Sequence, residues 1–148
     1  MKNRILYFCI ALSLSTVACS PMEMGKTIWG SSTRALEEAR VDAIKKTYSC
    51  DFDACFDAIV SLDRKNNLEK PLNQTFEIFL QDRIQSHIVV MGIAGQVDTT
   101  EVGIFFSRES PQAYTIEISS LSTPAKEKVA KLVFNELDKH FSEKTRME

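Results

Sequence analysis

The apolar positions of this chain change period near its middle. From residue 33 to residue 62 they recur every three or four places, the spacing that lines one face of a helix. Leu36, Ala39, Ala43 and Ile44 make the first set, and Ser31-Ser32-Thr33 ahead of it offers hydroxyls to the free N–H groups of a helix start. Glu37 and Glu38 fall near the positive end and Lys45 and Lys46 near the negative end, so the pattern predicts helix one over Thr33 to about Thr47. Phe52, Cys55, Phe56, Ile59 and Leu62 make the second set, which predicts helix two with Asp51 or Asp53 as its cap and Arg64-Lys-Asn-Asn67 as its end.

The period then becomes two. Phe76, Ile78 and Leu80 alternate with residues that face outward, which predicts a half-buried strand and sends Phe79 to the opposite side. His87 to Ile93 is almost continuously apolar, as suits a strand buried on both faces. Val102, Ile104 and Phe106 alternate again and leave Phe105 facing away, and Tyr114, Ile116 and Ile118 predict a fourth strand. The turns between them (81–86, 94–99 and 107–112) are short, which implies antiparallel pairing. A last helix starts at Thr123-Pro124, a cap residue before a proline suited to the first turn, and shows one face made of Ala125, Val129, Leu132, Val133, Leu137 and Phe141. The expected fold is α+β: a two-layer sandwich of order ααββββα, with a four-stranded antiparallel sheet packed on helices.

The first residues follow neither period. Met1-Lys-Asn-Arg4 is basic, Ile5 to Leu14 is apolar except for Ser13, and small residues precede Cys19. That order is a signal peptide over residues 1–18. The apolar stretch Ile5 to Ala18 is 14 residues long, short of the roughly 20 that span a bilayer as a helix. Thr16-Val17-Ala18-Cys19 resembles a bacterial lipobox, although Thr16 stands where that motif usually has Leu. The resemblance implies cleavage before Cys19, acylation of its thiol and a palmitate-type membrane anchor. Ser20 after it implies sorting to the outer membrane in a cell that has one. Thr16-x-Ala18 would also suit general signal peptidase cleavage at the same bond, giving a soluble exported protein. Residues 19–28 then read as lipidated terminus and tether, and 29–148 as a single domain. Trp29-Gly-Ser-Ser-Thr-Arg-Ala-Leu-Glu, Val102-Gly-Ile-Phe-Phe and Ile116-Glu-Ile-Ser-Ser-Leu-Ser-Thr-Pro-Ala-Lys resemble segments of small uncharacterised bacterial lipoproteins, which implies the same location and fold class.

The four cysteines sharpen this reading. Cys9 leaves with the signal peptide, Cys50 and Cys55 can pair, and Cys19 is left over, which acylation explains. Residues five apart in one continuous helix are too distant for a disulfide, so a Cys50–Cys55 bridge requires Cys50 in the turn before helix two. An oxidising compartment favours that bridge.

Charge changes the picture less. Without Lys2 and Arg4 the chain has 16 basic and 20 acidic side chains, a mild acidity that argues against nucleic acid. Asp51, Asp53 and Asp57 begin like a calcium loop, but Cys55, Phe56 and Leu62 occupy its fifth, sixth and twelfth places, so they read as solvated acids at a helix start. His87 and His140 are the only histidines and neither has a ligand partner at metal spacing. No Gly-x-Ser-x-Gly elbow accompanies the serines, and Ser119, Ser120, Ser122 and Thr123 read as the turn and cap of the last helix. Neither metal nor cofactor is expected. Trp29 is expected either to pack under helix one or to face the membrane or a partner. Phe79 and Phe105 make the second sheet face less polar than an exposed one should be, so either a helix covers it or it binds something. The expectation is a non-enzymatic accessory or structural protein of the cell envelope, lipid-anchored at the periplasmic side of the outer membrane, working through contacts with an envelope protein. The alternative is a small-ligand or lipid-binding lipoprotein using the face near Phe79 and Phe105.

Overall fold

The fold begins with a break in the first helical pattern. The computed structural model of the protein describes residues 33–66 and 68–141, and of the expected first helix only residues 33–38 (α1) are α-helical. A 3-10 turn, Ala39–Asp42, follows, then Ala43 is extended and Ile44–Tyr48 forms strand β1. The expected helix to Thr47 is thus corrected: its last third is a strand. The physical reason is long-range. Strand β5, Ala113–Ser119, is buried through most of its length, and its outer backbone groups need partners that water cannot supply. β1 supplies them in antiparallel register, Ile44 opposite Ile118 and Tyr48 opposite Tyr114. Lys45 and Lys46, which suit a helix C-terminus locally, instead take opposite sheet faces. The tertiary gain overrides a weak local preference.

Helix α2, Phe52–Val60, starts where its pattern predicts. Asp51 is the cap, its carboxylate accepting from the N–H groups of Asp53 and Ala54. Cys50 lies just before the helix and Cys55 within it, and the two form a disulfide with Cα atoms 6.1 Å apart. Arg83 reaches across to Asp53 (2.6 Å) and to Asp57, and its guanidinium lies 4.3 Å above the ring of Phe56. The acids of the calcium-like run are therefore occupied by a cap and an arginine.

The remaining strands are β2 (Glu77–Asp82), β3 (His87–Met91) and β4 (Val102–Ser110), with β5 after them. All five strands form one antiparallel sheet in the order β1-β5-β4-β3-β2. The element order is αβαββββα, with one strand more than the four expected. β4 and β5 outrun their apolar patterns to a tight turn at residues 111–112. β2 contains a bulge between Ile78 and Leu80, which changes the facing of the strand halfway along. Ile78 stays with the helix-side core, but Leu80 packs on the opposite face with Val89 and Phe105. The alternation that put Ile78 and Leu80 on one side is corrected by that extra residue. Beyond β2, Arg64 N–H donates to Phe76 O (2.8 Å), and the N–H of Ile78 donates to the Asp63 carboxylate (3.2 Å).

Helix α3, Thr123–Phe141, completes the domain, with Ser122 oxygens accepting from the N–H groups of Ala125 and Lys126. α2 and α3 pack on one sheet face. Phe56, Ile59, Phe76, Ile104, Ile116, Ile118, Val133 and Leu137 retain no exposed surface there. Phe52, Phe56, Phe106 and Tyr114 pack ring on ring at 5.4–5.8 Å. No helix among the described residues is long and apolar enough to cross a membrane.

Closing the short Cys50–Cys55 loop removes chain entropy from the unfolded state worth about 2 kcal/mol. Urea unfolding with and without a reductant should show a loss of that order. Equal midpoints would mean that the bridge contributes nothing to stability.

Candidate functional site

Two surfaces gather side chains that could do more than fill space. The first is the sheet face opposite α2 and α3. Alternation brings Phe105 and Ser107 of β4, Glu117 and Ser119 of β5, Lys45 of β1 and His87 and Val89 of β3 to that face, in register across the strands. Gly103 belongs to the same row. A Cβ there would sit 2.5 Å from the Phe105 ring, so the absence of a side chain lets that ring lie across the strand. The His87 ring stacks on Phe105 at 5.7 Å.

This face is covered. Leu36 of α1 is buried against Val89 and Phe105, and its carbonyl accepts from the Ser119 hydroxyl at 2.8 Å. The Arg40 guanidinium lies 4.7 Å above the Phe105 ring. Phe105 is consequently only 3% exposed, whereas Phe79, displaced by the bulge, is 40% exposed. Of the two alternatives for this face, covering by a helix is the one found at Phe105. Trp29 and Cys19 lie outside the described residues.

Under Arg40 sits an ion network that sequence reading missed. Arg40 Nε donates to Glu117 Oε2 (3.0 Å), Arg40 Nη2 to Ser107 Oγ (3.0 Å), and Ser107 Oγ to Glu117 Oε1 (2.7 Å). Lys45 Nζ approaches Glu117 to 3.4 Å. Burial by itself would raise the Glu117 carboxyl. The hydrogen bonds from Arg40 and Ser107, with the charges of Arg40 and Lys45, outweigh it and lower the pKa to about 2. Both carboxylate oxygens are engaged, so Glu117 is held as an anion and is a poor general base at neutral pH. His87 is the unfinished member: it is 2% exposed and its Nε2 has no hydrogen-bond partner among the described residues. The one sequence signal for this network was a lone Glu between Ile116 and Ile118 in a buried strand.

The second surface lies along α3. Lys128, Lys131, Asn135 and Lys139 follow one another at three and four residues and form a stripe beside the buried face. Lys70, Asn73 and Gln74 of the segment that includes the 3-10 turn Leu72–Gln74 stand across from them, and Leu62 and Leu132 contribute apolar surface. The groove between measures about 900 Å³ and is open to solvent. Its two acids are already engaged. Asp138 accepts from Lys46 (2.6 and 2.7 Å) and from the Tyr48 hydroxyl (3.0 Å), and Glu136 accepts from Lys139 (2.8 Å). The Tyr48 hydroxyl is pushed far above its ordinary value by burial and by Asp138. It therefore stays a donor. Lys139, with weaker help from Lys70, lowers the Glu136 carboxyl. Lys128 donates to the Ala94 carbonyl. Lys70 and Lys131 are exposed and enter no salt bridge among the described residues.

A smaller recess of about 350 Å³ lies beside Ala35, Leu36, Leu121 and Glu101, and burial raises the Glu101 carboxyl. No group of three His, Cys, Asp or Glu side chains among the described residues could hold a metal ion. Compared with known proteins, the chain matches no family model and no curated protein.

The lowered Glu117 carboxyl makes stability depend on acid. Its contribution is complete above the ordinary carboxylate value of 4.5 and disappears as pH falls toward about 2. Urea midpoints of the protein and of Glu117→Gln should differ most near neutrality and converge between pH 4.5 and pH 2. A difference that stays constant across that range would show that Glu117 is not held as described.

Proposed function

We propose that this chain is a lipid-anchored bacterial envelope protein that works by binding rather than by catalysis, as an accessory or structural component through protein contacts. The anchor reading rests on Thr16-Val17-Ala18-Cys19 after a basic and then apolar leader, together with the odd cysteine left once Cys50 and Cys55 have paired. The binding reading rests on the open groove along α3. An open trough with an exposed lysine on each wall that enters no salt bridge among the described residues offers purchase to an extended macromolecular segment. The reactive-looking Glu117 supports the same reading, because its oxygens are saturated by Arg40 and Ser107.

A small-ligand or lipid-binding role is the second reading, and the recess at Leu36 and Leu121 is the place for it. Its volume of about 350 Å³ lies at the lower end of what small-molecule sites use.

Feeding cells an alkyne-bearing palmitate and clicking a dye onto the captured protein tests the anchor. Label and membrane association are expected in the wild type and should be lost together in Cys19→Ala. Label persisting in that variant, or an unlabelled wild type found in the soluble fraction, would overturn the anchored reading. In-membrane crosslinking then tests the binding role: a reproducible protein adduct is expected, and recovery of bound lipid alone would transfer the argument to the second reading.

A further inference from the structure

The groove along α3 has the opposite sign to the protein that carries it. The whole chain is net negative, with 20 acidic against 18 basic side chains. The groove is lined by Lys70, Lys128, Lys131 and Lys139 against Glu136 and Asp138 alone. Both acids are neutralised from within the fold, as described above. What remains facing the solvent is cationic: Lys131 on the helix wall and Lys70 on the opposite wall, each exposed and in no salt bridge among the described residues, with Lys70 acting on Glu136 only at longer range. A local positive trough on an acidic surface attracts anions and turns away most acidic proteins that lack a matching segment.

The other lining groups say which kind of anion. Asn73, Gln74 and Asn135 carry amide side chains, each able both to donate and to accept, as the backbone of an extended peptide requires. Leu62 and Leu132 give an apolar floor between the charges, and Leu68 and Leu72 of the facing segment are 87% and 60% exposed. A single phosphate or headgroup would use the lysines but leave the amides and leucines idle. The stretch from Lys128 to Lys139 runs about 16 Å along the helix. An extended chain covers that length in about five residues. We propose that this groove binds a short, extended acidic peptide segment of a protein partner, with Lys70 and Lys131 pairing its carboxylates and the Asn and Gln side chains meeting its backbone. The proposal rests on the reading of the chain as a protein-binding component and identifies the chemistry of its partner.

The test uses the full-length protein in detergent and a fluorescein-labelled Glu-Leu-Glu-Glu-Leu-Glu peptide, followed by fluorescence anisotropy. Binding is expected, and it should weaken as salt is raised from 50 to 500 mM. Lys70→Glu and Lys131→Glu should each weaken it about fivefold or more, and the double variant about thirtyfold, because attraction becomes repulsion at two contacts. Lys131→Arg should retain binding, and Arg108→Glu, at the far end of β4, should leave it unchanged. Unchanged urea midpoints would show that the exposed substitutions have not damaged the fold. Three results would each overturn the proposal: no peptide binding at millimolar concentration, equal affinity in the groove variants and Arg108→Glu, or displacement of the peptide by equimolar inorganic phosphate. If the peptide fails but crosslinking in native membranes still yields a protein adduct, the protein-binding role stands and only the groove assignment falls.

Discussion

A carboxylate in the middle of a buried sheet face has to be neutralised where it stands, and Glu117 places that demand on this fold. Leaving it alone would cost several kcal/mol in desolvation. Water cannot reach it freely, so the charge must come from neighbouring chain. Lys45 supplies part of it from β1, and Arg40 supplies the rest from the 3-10 turn, with Ser107 filling the remaining lone pairs. That requirement explains why residues 33–48 lie as they do. The helix must stop early enough to bring Arg40 over Phe105, and the chain after it must run alongside β5 to bring Lys45 within reach. One side chain thus couples the end of α1, the pairing of the edge strand and the covering of Phe105.

The same coupling shows what could be read in advance. α2 and α3 were legible because their information is local: an apolar stripe at helical spacing, Asp51 ahead of α2, Thr123-Pro124 at the start of α3 (the cap itself proves to be Ser122, one residue earlier), and a cysteine pair whose spacing required one member outside the helix. The four later strands were legible for the same reason. β1 was not. Ile44-Lys-Lys-Thr-Tyr48 has no alternation of its own, with a lysine on each face, and it becomes a strand only because β5 offers it an edge 66 or more residues away in sequence. The bulge at Phe79 was equally hidden, because one inserted residue leaves no mark on composition yet reverses the facing of Leu80.

For the candidate site the division is similar. The lysine stripe at 128, 131 and 139 could have been found by reading the polar face of α3 with the care given to its apolar one. Its facing wall could not. Lys70 and Asn73 lie on a segment with no period, and only the folded chain brings them opposite the helix. The opposite fate befell Phe105, whose apolar character and outward parity were correctly visible, while the arginine and leucine that cap it were assigned to a helix with a different course.

The margins of the sheet carry a consequence for crowding. β2 ends the sheet with a bulge, and its free edge is partly taken up by Asp63 and Arg64, while the opposite margin, β1, bears two consecutive lysines. Unpaired strand edges invite copies of a chain to add to one another, and irregularity and charge are the usual deterrents. If the protein is held on a two-dimensional membrane, where neighbours meet far more often than in bulk solution, margins of this kind let many copies share a small area without knitting into a continuous ribbon.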